Sequence, residues 1–281
     1  EVSIQTAKET LLEALSPLGD TYRENIRRAF DERWIDFPEN EGKSTGAFCS
    51  SPYGAHPYVL ISWTGSQREL FVLAHELGHA GHFALAQDKQ NILHTRPSQY
   101  LIEAPSTMNE LFLADYLLQN TDDPRMKRWI RATMIARTYY HNFVTHGIEA
   151  VFQNKAYQAV DRGEGLSADT LDGYFRETLE DFWGDAVTIE PGAERTWMRQ
   201  PHYYMGLYPY VYSAGLTMGT EANRRINAEG DAAVQDWIRF LEAGGTKDVF
   251  GLAEIAGIDL TTDGPLKNTI AKIEELVDGL E

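Results

Sequence analysis

Residues 75–79 read His-Glu-Leu-Gly-His, inside a run (66–87) whose apolar residues recur at helical spacing. On a helix, positions i and i+4 share a face. His75 and His79 can therefore turn two imidazoles toward one cation, and Glu76 leans over the same place as a base. Two imidazoles on one helical turn beside a carboxylate are the parts list for zinc-assisted attack by water on an amide. Ser66-Gln-Arg-Glu69 has the spacing of a capping box that would start the helix, and Leu70, Phe71, Leu73, Ala74 and Leu77 would bury it. The pattern arises by chance in roughly 2% of chains of this composition. The competing reading is a buried amphipathic helix with incidental histidines. It must satisfy two imidazoles and a carboxylate within one turn and without an ion, which burial makes costly.

The rest of the composition narrows the class. The chain has 281 residues, 43% of them hydrophobic, which suffices for a sizeable core. A net charge of -17 repels phosphate backbones and anionic lipid, so no nucleic acid and no membrane are expected as partners. No apolar run of about 18 residues suggests a membrane span. The N-terminal residues do not read as a signal peptide, and the chain opens on Glu1, as a processed product or a piece of something longer would. Cys49 is alone, so no intramolecular disulfide can form, which fits a cytoplasmic location. With no base adjacent in sequence, it reads as a half-buried strand thiol rather than a nucleophile.

The fold class expected is mainly α, a helical catalytic domain with a small antiparallel β unit before the motif helix. Helices are expected over 2–16, 20–34 (Asp20 as N-cap), 66–87, 98–118, 123–154 (long, either continuous or broken), 167–183, 208–227, 232–243, 248–256 and 265–279. Two short aromatic and β-branched runs, 46–50 and 58–63, are bounded by Pro38, Gly42, Pro52, Gly54 and Gly65 and read as paired strands. With no repeats and no Gly/Ser linker, one domain over 1–281 fits best.

A zinc site with an open position needs a third protein ligand. Six residues after His79 stands Leu85, which removes a third histidine there. His82 lies near the same face, but one straight helix cannot readily wrap three of its own side chains around a tetrahedral ion, so a surface or supporting role is favoured. Glu103 and Glu110, seven apart on an otherwise apolar helical face, are the remaining candidates. One would bind metal and the other would orient a ligand histidine. Spacing leaves the choice open. Further on, residues 201–215 crowd His202, Tyr203, Tyr204, Tyr208, Tyr210 and Tyr212 together. On residues alone this is equally an aromatic core stripe or a set of donors.

The sequence resembles the oligoendopeptidase F branch of the thimet oligopeptidase family of zinc metallopeptidases. His75-Glu-Leu-Gly-His-Ala-Gly-His82 is similar to that family's zinc helix, and Ile102-Glu-Ala-Pro-Ser-Thr-Met-Asn-Glu110 to its second signature. Segments 34–38, 46–48, 53–60, 240–245 and 256–260 are similar too, so the resemblance runs through essentially the whole chain. It implies a zincin-like fold, one zinc ion per chain held by His75, His79 and Glu103, and Glu110 as a supporting carboxylate. It implies Glu76 as general base, Tyr210 as oxyanion donor, and His202 and Tyr203 as substrate or transition-state contacts, with Tyr208 and Tyr212 as packing or support. The strand from Gly46 could accept an extended peptide by backbone pairing, or be an ordinary edge. The activity implied is zinc-dependent endopeptidase hydrolysis of short peptides. Members of this branch are about twice as long, so a missing N-terminal half of the same enzyme is an expected partner. Rival readings are a catalytically incomplete zinc-binding fragment, a non-catalytic module with structural zinc, and another zinc peptidase such as an aminopeptidase. A structural site would want four ligands, usually cysteine-rich, and Cys49 is the sole cysteine.

Overall fold

The computed structural model describes residues 1–44, 46–199 and 201–280. Its helices are α1 (Ile4–Ala14), α2 (Asp20–Asp31), α3 (Gln67–Lys89), α4 (Ala104–Gln119), α5 (Pro124–Thr133), α6 (His146–Asp161), α7 (Ala168–Trp183), α8 (Tyr210–Glu229), α9 (Asp231–Ala243), α10 (Val249–Ile255) and α11 (Gly264–Asp278). The strands are β1 (Ile35–Asp36), β2 (Ala47–Ser50) and β3 (Tyr58–Ile61). The protein is mainly α, as its apolar periodicity predicts. The chain was expected as one domain over 1–281; its packing divides into two compact units, Glu1–Thr138 with Ala214–Glu281, and Tyr139–Ser213.

In the first unit, local chemistry starts the helices. The Ser3 hydroxyl accepts from the Thr6 N–H and opens α1. α2 departs from expectation: Gly19 at φ +84° is its N-cap and Asp20 the first helical residue. An aspartate would strain at that φ, whereas glycine carries no Cβ to clash. β2 and β3 pair antiparallel as anticipated, with Phe48 opposite Leu60 and Cys49 opposite Val59. β1 adds a parallel third strand, Ile35 opposite Val59, so the sheet is mixed, in the order β1-β3-β2. A two-residue strand is too short to show alternation, which is why the sequence hid it. β2 stands at one edge.

α3 is the central helix. Its capping box forms: the Glu69 N–H donates to the Ser66 hydroxyl (3.2 Å), and the Ser66 N–H to the Glu69 carboxylate (3.4 Å). Leu70, Leu73, Ala74, Leu77, Ala80 and Leu85 are buried along it. Each leucine so buried contributes about 1.5–3 kcal/mol. α3 packs chiefly against α4, then α9 and β2. The expected helix over 98–118 is instead a 3-10 turn (Gln99–Leu101) followed by α4. Pro105 is tolerated in the first turn but disfavours helix before it, and that leaves Glu103 as N-cap.

The expected long helix over 123–154 is broken by a π-helical stretch, Met134–Thr145. Its wider turns change which face successive side chains present. In the second unit, the Ser167 hydroxyl accepts from the Thr170 N–H and opens α7. α6 and α7 pack around Ile148, Phe152 and Phe175, joined by Leu171, Trp197 and Tyr203.

Candidate metal centre

The capped, buried helix α3 holds His75 and His79 one turn apart, with ring centroids 5.1 Å from each other. Glu103, at the mouth of α4, lies against both. Its Oε2 is 3.1 Å from His75 Nε2 and 3.5 Å from His79 Nε2. One ligand atom from each residue falls within 4.8 Å of the others. The carboxylate does not cap its own helix; it is turned to the imidazoles and is 1% exposed. So full a burial of a carboxylate demands compensating positive charge. The neighbouring imidazoles hold the Glu103 carboxyl well below its usual range, against the opposing effect of burial. Two Nε2 atoms and a carboxylate oxygen are a donor set that zinc accepts, and three protein ligands leave a position open.

The supporting layer is equally defined. His75 Nδ1 lies 2.7 Å from Glu110 Oε1. A carboxylate only accepts, so Nδ1 carries the proton and Nε2 is left as the ligand atom. The Thr138 hydroxyl donates to the other Glu110 oxygen (2.6 Å). Burial lowers the His75 pKa, but bonds to Glu103 and Glu110 outweigh it and hold the ring well above the usual histidine range. Glu76 is 6% exposed, and its Oε2 meets no hydrogen-bond partner among the described residues. Burial raises its pKa, the direction that suits a carboxylate meant to take up a proton.

The structure thus brings His75, His79 and Glu103 together, with Glu76 on the same helix and Glu110 behind His75. His82 is not among the ligands and is not on the surface either. It is 1% exposed, its ring 5.5 Å from that of Phe240, and burial pushes its pKa down to about 3. Burial also raises the Cys49 thiol pKa, with the Glu76 charge adding to the effect, so the thiol stays protonated. Gly46 is exposed at φ +89°, just ahead of edge strand β2.

In the second unit, Tyr203 packs its ring edge-on against Phe152 (5.4 Å) and Phe175 (6.2 Å). Burial, and then the charge of Glu149, raise its hydroxyl pKa. His202 Nε2 lies 3.1 Å from the Tyr212 hydroxyl. Tyr210 is the first residue of α8 and 38% exposed.

Residues missed in the sequence are those that set spacing. A Cβ on Gly78 would lie 2.6 Å from the Pro105 carbonyl oxygen and the Ser106 nitrogen, and one on Gly215 would lie 2.6 Å from Glu103 Cβ. A glycine inside a strongly helical pattern was the available signal for the first. Asn109 accepts from the Tyr22 hydroxyl (3.0 Å) and donates to the Ala74 carbonyl (3.0 Å), tying α2, α3 and α4 together. Thr138 had no signal, being remote in sequence from its partner.

A helical fold that sets two imidazoles and a buried carboxylate on one point defines a protein with a candidate mononuclear metal centre. The sequence model of Peptidase family M3 matches residues 2–272, and the chain belongs to that family. Oligopeptidase PepF of Bacillus subtilis is 30% identical over 289 residues, spanning all of this chain and 42% of that protein. An oligoendopeptidase F homologue of Borreliella burgdorferi is 30% identical over 280 residues, 98% of this chain and 47% of that one. The chain therefore spans less than half the length of these relatives. A solved Chlamydophila abortus protein superposes with a TM-score of 0.81 at 27% identity, covering all of this chain and 47% of the other. Oligoendopeptidase F of Enterococcus faecium shares the fold at 22% identity, with a TM-score of 0.68, over 99% of this chain and 43% of its own.

Proposed function

We propose that this chain is the zinc-bearing part of an endopeptidase that hydrolyses short peptides, with one zinc ion per chain. The observation that carries the reading is the convergence of His75, His79 and Glu103, with one ligand atom of each within 4.8 Å of the others and both Nε2 atoms within 3.5 Å of Glu103 Oε2. These three side chains would hold the metal, which would supply Lewis-acid polarisation of the scissile carbonyl and activation of water. Glu110 keeps the His75 proton on Nδ1. Glu76 takes the proton of the attacking water and returns it to the leaving amine, and its buried carboxylate with a raised pKa supports that part. Tyr210 and His202 are proposed as donors to the developing oxyanion, on the family resemblance. Tyr203 and the edge strand from Gly46 are proposed as substrate contacts. An exposed edge gives backbone pairing with weak side-chain preference.

Among the described residues no helix is long and apolar enough to cross a membrane, and the single Cys49 fits the cytoplasmic location proposed. Glu76→Gln should bind zinc stoichiometrically and lose turnover of a quenched short peptide by about 10²–10⁴-fold; near-normal turnover would end the base assignment. Glu103→Ala should lose stoichiometric zinc by metal analysis, and full retention would remove it from the ligand set. A second reading rests on the 42–47% coverage of the relatives: the chain binds zinc but requires an N-terminal half to cleave. Chelator-sensitive hydrolysis by the isolated chain decides against it, and hydrolysis appearing only when the N-terminal half is added decides for it.

A further inference from the structure

His202, proposed above as an oxyanion donor, sits in a stack of rings whose other members take no part in that chemistry. Its Nε2 lies 3.1 Å from the Tyr212 hydroxyl. The Tyr212 ring lies face to face on His146, with centroids 4.0 Å apart and planes 11° apart. His146 is 1% exposed, and its Nδ1 is 2.6 Å from the Glu149 carboxylate, which is also buried. His141 lies against His146 at 4.3 Å. Tyr208 stacks on His202 at 5.7 Å. All of these residues belong to the second unit.

The chemistry of each contact sets its direction. An ionised carboxylate accepts only, so His146 Nδ1 carries a proton and donates it to Glu149, which pins the ring. His146 Nε2 meets no hydrogen-bond partner among the described residues, so the ring acts on Tyr212 through its face. A stack passes no proton; the Glu149–His146 pair therefore fixes position and relays nothing. At the next contact a phenol meets an imidazole. The phenol O–H is the more acidic donor, and an imidazole with a bare Nε2 offers it one lone pair, the arrangement in which Tyr212 donates and His202 Nε2 accepts.

We propose that Tyr212, held flat by the His146–Glu149 pair, is a positioning residue that fixes His202 in the tautomer protonated on Nδ1. His202 then presents Nδ1–H as its donor. That donor's use on an oxyanion rests on the peptidase reading; the tautomer does not.

The test reads the two separately. In nitrogen-15 spectra of the histidine-labelled chain, His202 is assigned from the signals lost in His202→Gln. It should show a protonated Nδ1 and a bare Nε2. Tyr212→Phe keeps the ring and its stack and removes only the hydroxyl. It should shift His202 toward Nε2–H and lower kcat on a quenched short peptide about five- to tenfold, with KM and zinc content unchanged. His146→Ala should shift the same nitrogens, and the double variant His146→Phe/Glu149→Gln, which restores a flat ring with no unpaired buried charge, should bring them back. A wild-type His202 protonated on Nε2, or an Nδ1–H tautomer indifferent to Tyr212→Phe, overturns the proposal. If the nitrogens behave as expected while the wild type cleaves no peptide either alone or with an N-terminal half added, the positioning holds and the peptidase reading falls.

Discussion

His75 is gripped at both ring nitrogens, by Glu103 at Nε2 and Glu110 at Nδ1, and Glu110 is itself held by Thr138. Removing the Thr138 hydroxyl frees one Glu110 oxygen and loosens the imidazole it aims. Thr138→Val should weaken zinc binding about tenfold, measured by competition with a chromophoric chelator, without changing stoichiometry. His82 offers a second expectation. Burial takes its pKa from 6.5 to about 3. Between those values the unfolded chain binds a proton that the folded chain refuses, so stability falls as pH drops through this window, by about 1.4 kcal/mol per pH unit. His82→Leu should remove that contribution. Urea unfolding at pH 4, 5 and 6 would show the variant less acid-sensitive than the wild type. Parallel pH profiles would mean that His82 is protonated in the fold.

Between elements, the site depends on how closely α3 and α4 approach. Gly78 permits it, because any Cβ there would collide with backbone at 105 and 106. Gly78→Ala should force the helices apart, costing about 1–3 kcal/mol of stability. It should also weaken zinc binding, because Glu103 rides at the start of the displaced helix. A variant with unchanged melting temperature and unchanged zinc affinity would show that this contact is not what sets the spacing. The same level shows where sequence reasoning succeeds. α3 was legible in its capping box and apolar run, and the start of α4 hinged on Pro105. β1 was too short to carry a period, and the π-helical stretch Met134–Thr145 has no pattern distinct from an α-helix.

At the scale of the molecule, the ion is expected to contribute stability as well as chemistry. A ligand that binds only the folded state stabilises by about 4 kcal/mol at a thousandfold excess over its dissociation constant. Stripping the metal with chelator should lower the melting transition of the unit Glu1–Thr138 with Ala214–Glu281, and zinc should restore it. A melting curve indifferent to both would show that no ion binds there. The net charge of -17 also favours cation uptake over binding to polyanions.

The sequence by itself determined the helical class, the motif helix with its cap, and the two imidazoles, because i and i+4 share a face on any helix. Spacing narrowed the third ligand to Glu103, Glu110 or His82 and left it open, since all three lie in register with an apolar face; the family resemblance alone pointed to Glu103. The tertiary structure puts the three in different places. Close passage of α4 past Gly78 brings Glu103 to both Nε2 atoms, sends Glu110 to the far side of His75, and leaves His82 in the core beside Phe240. Local periodicity orients a side chain about its own axis; only packing decides which side chain of another element it will meet.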